Sequence, residues 1–214
     1  WKDTIDANFY MNINGQPIKI NSNWGIDYCV VQDFVLSLQM ENGGSVYLRL
    51  STRSIEQPHR HIDESLKTNI LKGGYWLKKP GPNPQSVIVY QGVIANEVIE
   101  AASILGERFK DIGVLSITSS DNLFHDWKNK SSNLHTHKEQ SHIEVLLDYI
   151  SKDTKLITVI DGHPMTLSWL GSVFGHKTIP LGVDRFGQTG NIKELFTEFA
   201  IDSNSISNIG FNIN

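Results

Sequence analysis

From residue 74 onward the apolar positions follow two rhythms in turn. "GYWLKKPGPNPQSVIVYQG" (74–92) predicts a strand, a Pro/Gly loop and a second strand, and "IGVLSIT" (112–118), "KLITVID" (155–161) and "HKTIPLGV" (176–183) predict further strands. Between them the spacing changes. "VIANEVIEAASILGERF" sets Ile94, Val98, Ala101, Ala102 and Leu105 on one helical face. "SSDNLFHDWKNK" predicts a short helix capped by Ser119 or Ser120. "SHIEVLLDYISK" is a further amphipathic helix, and "HPMTLSWLGSVFG" a small-residue helix ending on Gly175. "NIKELFTEFAI" is the final one. Strands alternating with helices predict an α/β domain of three layers, with a mainly parallel, mixed five-stranded sheet covered on both faces. The loop with Pro80, Gly81, Pro82 and Pro84 suggests that its two flanking strands pair antiparallel.

The first third is patterned differently. "FYMNINGQPIKINSNWG" (9–25) is polar and rich in Asn and Gly, which predicts loops and a hairpin at Asn14-Gly15. In the next stretch Ile26, Val30, Phe34 and Leu38 recur every four residues, a helical stripe stopped by Asn42-Gly43-Gly44. "SVYLRLST" (45–52) predicts a strand, and a domain boundary is expected between Ser54 and Lys72.

Composition narrows the partners. Of 214 residues 39% are hydrophobic and 20% charged, enough to bury a core. A net charge of −4 with scattered basic residues argues against nucleic acid or an anionic membrane as partner, since both require a basic face. No apolar run approaches the roughly 20 residues of a membrane helix. Cys29 stands alone among apolar residues, as a buried structural thiol would, and points to a reducing, cytoplasmic compartment. No signal peptide is expected, and because the chain opens on Trp1 rather than Met, the natural start is expected to have been removed or to lie upstream.

Candidate chemistry is sparse. No dinucleotide or P-loop glycine pattern occurs. The glycines of "GVDRFGQTG" (182–190) could shape an anion or substrate loop, because backbone N–H groups at a helix start favour negative charge. They could equally make a structural turn, with Asn191 and Glu194 as a capping pair. The pairs His59/His61 and His135/His137 lack the further convergent ligands that zinc needs. His163 follows "VIDG" at a strand end, where α/β sheets place ligand sites, and Asp161 could orient its ring. It could also simply cap the next helix. Ser168 and Ser172 lie in a helix and read as packing residues, and no nucleophile elbow is present.

The ordered elements resemble a known family. "YWLKKPGPNPQSVIVYQGVIANEVIEAASILGERFKDIGVLSITSSDNLFHDW" is similar to the C-terminal domain of transketolase-like, thiamine diphosphate-dependent enzymes. The branch it most resembles is the homodimeric decarboxylating component of pyruvate or 2-oxo acid dehydrogenase complexes. "LITVIDGHPMTLSWLGSVFGHKTIPLGVDRFGQTGNIKELFTEFAID" resembles the family's ending, with Gly182, Phe186, Gly187, Thr189 and Gly190 matching its loop. Residues 26–58 look like the last helix and strand of the preceding pyrimidine-binding domain. The implied division is 1–60 for that tail, with 1–25 unplaced, and 70–214 for the C-terminal domain.

The resemblance implies that the chain is the end of a longer enzyme. That enzyme would bind thiamine diphosphate and Mg²⁺ and either decarboxylate a 2-oxo acid or transfer a two-carbon ketol unit. The G-D-G motif for the diphosphate and a placeable activating Glu are missing here, so this chain alone is expected to bind no cofactor and to lack catalytic residues. Expected partners are the remaining domains, a second copy in a homodimer, and other components of a 2-oxo acid dehydrogenase complex. Asp161, His163, Asp184, Arg185, Phe186, Gly187, Gln188 and Gly190 are the implied interface or channel-rim residues. The alternative is a free-standing α/β regulatory module that binds an anionic metabolite near Asp161, His163 and Arg185. A hydrolase-like enzyme using His163 is a third reading.

Overall fold

A computed structural model describes residues 9–13, 16–20, 61–132 and 139–212. The chain divides into two compact units, Trp1–Ile70 and Leu71–Asn214. In the first, β1 (Phe9–Ile13) and β2 (Gln16–Ile20) pair antiparallel, with Ile13 opposite Gln16. This is the hairpin that Asn14-Gly15 predicts. The expected helix around 26–38, the strand at 45–52 and the "HTH" loop lie outside the described residues. Helix α1 (Glu64–Leu71) was not foreseen; Asp63 Oδ1 caps it, accepting the Leu66 N–H at 2.7 Å.

The second unit is built on a five-stranded sheet in the order β3-β5-β4-β6-β7. Its strands are β3 (Gly74–Lys78), β4 (Ser86–Gln91), β5 (Gly113–Ile117), β6 (Lys155–Ile160) and β7 (Thr178–Leu181). β5, β4, β6 and β7 run parallel, and β3 runs antiparallel to β5. The expected sheet is therefore present, with one correction. β3 and β4 do not pair with each other. Ser86–Tyr90 are buried on both faces, which suits β4 to the middle of the sheet. The Pro/Gly loop instead passes the start of β5, where the Gly81 N–H donates to the Asp111 carbonyl at 3.1 Å.

Alternation along the strands sorts the core into two layers. Ile88, Tyr90, Val114, Ile157 and Val159 face α2 (Ala95–Gly106) and α8 (Ser203–Asn212). All five apolar positions predicted on one face of α2 are buried. Val87, Val89, Leu115, Ile117, Leu156 and Ile160 face α3 (Ser120–Ser132), α4 (His142–Leu147), α5 (Met165–Ser168) and α6 (Gly171–Phe174). The predicted small-residue helix is thus two short ones, ended by Gly175 at φ 82. Ser119 Oγ accepts the Asn122 N–H at 3.2 Å, as a cap should. Trp127 stacks on Trp169 with centroids 5.4 Å apart, joining the helices of two successive crossovers. Helix α7 (Ile192–Glu198) has no buried residue.

Both sheet edges are blunted. Gly73 accepts from Thr118 of the β5 side, so the Gly74 carbonyl points outward. His142 of α4 covers it, its Nε2–H donating at 2.9 Å. On β7, Lys177 accepts from Leu156, so Pro180 faces outward and offers no N–H to a foreign strand.

Candidate functional site

The carboxyl ends of the four parallel strands share one end of the sheet. β4 continues toward β5 through α2, whereas β6 continues toward β7 through α5 and α6. The connections part between β4 and β6, the switch point at which open α/β sheets carry ligand crevices. Asp161, Gly162 and His163 extend β6 there, as expected. Gly92 extends β4 beside them, with φ 90. A Cβ added at Gly92 would lie 2.5 Å from Asp161 Oδ1, so the carboxylate occupies the space that any other residue would fill.

His163 lies just before α5. Its Nδ1 accepts the Met165 N–H at 3.3 Å, at the first residue of α5. It caps its own turn. Ser168 Oγ likewise donates to the Pro164 carbonyl at 2.9 Å, the packing role expected of it.

The β7–α7 loop is anchored at its root. The Val183 N–H donates to the Gly162 carbonyl at 2.8 Å. A Cβ at Gly182 would lie 2.5 Å from that same oxygen, so only glycine lets the two loops approach. Beyond the root, residues 184–190 are all exposed. Arg185 turns back to form an ion pair with Glu198 of α7, and its guanidinium sits 5.2 Å from the Phe199 ring centroid. Gly187, at φ 103, makes the turn that follows. Phe186 between them stands fully in solvent, at 103% relative exposure. Asp184 and Gln188 are exposed on the same loop.

The loop ends in the predicted capping pair. The Glu194 N–H donates to Asn191 Oδ1 at 3.0 Å, and the Asn191 N–H to Glu194 Oε2 at 3.1 Å. Gly190 leaves room for that carboxylate, since a Cβ there would lie 3.2 Å from Glu194 Oε2. An anion arriving at α7 would meet a donor already taken and a carboxylate beside it.

The structure thus separates the predicted residues into two groups. Asp161 and His163 belong to the β6 end, and Asp184 through Gly190 to the loop beside it, joined where Val183 meets Gly162. Reasoning on sequence missed Gly92, Glu198 and Phe199. The "QG" ending a strand run was a usable signal for Gly92. Glu198 lies 13 residues from Arg185, across a loop and a helix, and no spacing rule finds it. Among the described residues no three His, Cys, Asp or Glu side chains gather as a metal ion would require.

Residues 73–202 match the family described as the transketolase-like TK C-terminal domain. The chain belongs to that family. Over 174 residues it is 28% identical to transketolase 2 of Aliivibrio fischeri, a match that covers 81% of this chain and 23% of that protein. Transketolase from Leishmania mexicana shares the fold at TM-score 0.53 and 18% identity, over 77% of this chain and 20% of that one. A split-gene transketolase described as an inactive beta4 tetramer superposes at TM-score 0.58 and 15% identity, over 86% of this chain and 54% of its own. The chain thus spans under a quarter of the curated transketolase it matches. As a transketolase-like C-terminal domain, it places its exposed loop and strand ends at one end of the sheet.

Proposed function

We propose that this chain is the C-terminal part of a thiamine diphosphate-dependent enzyme that transfers a two-carbon ketol unit, and that it serves in packing rather than in chemistry. The observation that carries this reading is Phe186. A phenylalanine wholly in solvent, on a loop braced by Arg185 and Glu198, is a contact waiting for a partner surface. Ile192 and Met165 are exposed apolar side chains as well. The partner is the remainder of the parent enzyme, a second copy included, and Asp161, His163, Asp184 and Gln188 form the polar rim near the substrate entrance. Residues 1–60 are the tail of the preceding pyrimidine-binding domain, and 70–214 the C-terminal domain. The cofactor and its Mg²⁺ are held by the other domains, in a reducing cytoplasmic compartment. Transfer of a ketol unit is favoured over 2-oxo acid decarboxylation because the relatives found are transketolases.

The test is Phe186→Asp in the complete enzyme, followed by light scattering and circular dichroism. We expect a smaller assembly with unchanged helix and strand content. An assembly of unaltered mass and activity would overturn the packing role. The free-standing metabolite-binding reading finds support only in the position of Asp161 at the switch point. Saturable binding of an anionic metabolite, lost in Asp161→Asn, would favour it.

A further inference from the structure

We draw no further inference here: the strongest candidate, the apolar surface formed by Phe186 on the β7–α7 loop with the unburied helix α7 behind it, belongs to the packing site already proposed, and nothing in the structure shows what covers it.

Discussion

Gly210 of α8 lies directly on Leu105 of α2: a Cβ added at Gly210 would sit 2.6 Å from Leu105 Cδ1. Leu105 is fully buried, so it has little room to yield. Gly210→Val should therefore destabilise the domain by about 1–3 kcal/mol, the usual cost of overpacking. A urea titration followed by tryptophan fluorescence checks this; an unchanged midpoint would mean that α8 docks loosely.

Ala200 ends α7 in the left-handed region, at φ 54. Its N–H donates to Thr197 and the Ile201 N–H to Phe196, the two bonds of a Schellman motif. A side chain there is strained, and glycine is not. Ala200→Gly should raise stability by roughly 0.5–1 kcal/mol, after the entropy that glycine adds to the unfolded chain. Thermal unfolding measures it, and a lower Tm would contradict it.

Asp126 clips α3 to the start of α4. Burial raises its pKa, but the His142 N–H at 2.7 Å, Lys130 Nζ at 3.1 Å and the charges of Lys130 and His142 outweigh that and hold it below the ordinary aspartate value. A depressed folded pKa gives stability that is full above the unfolded value and is lost as pH falls through the folded one. Asp126→Asn should cost up to about 1 kcal/mol at neutral pH, given the partial exposure of the pair. The gap between the two proteins should narrow below roughly pH 4. A gap that stays constant down to pH 2 would show that the carboxylate charge contributes nothing.

His142→Ala should remove the donor to the Gly74 carbonyl and bare the outer edge of β3. A buried acceptor left without its partner costs about 1–3 kcal/mol. The bared edge should also raise concentration-dependent aggregation, read by light scattering. His142→Gln, which can still donate, should restore part of both.

Much of this fold is written in local pattern. The runs at Ser86, Gly113 and Lys155 are continuous and apolar because their strands are buried on both faces, so the sequence shows them directly. Asn191 and Glu194 declared the start of α7 because both halves of a capping box sit within four residues. Helix α8 was missed: its apolar contacts are Ile206, Ile209 and Phe211, spread among Asn and Ser that favour turns. The partner of β3 was missed because register across 40 residues is set by sheet position and not by the intervening loop. At the site, Asp161 and His163 were legible from their place after a strand. Glu198 and Phe199 were not, because the brace on Arg185 exists only once α7 folds back.

The most direct test of the account is calorimetric titration of thiamine diphosphate, with Mg²⁺, into this chain alone and into an assembly with the missing domains restored. The account predicts no binding heat from the chain alone and saturable binding in the assembly. Binding by the chain alone, or a complete assembly indifferent to the cofactor, would contradict it.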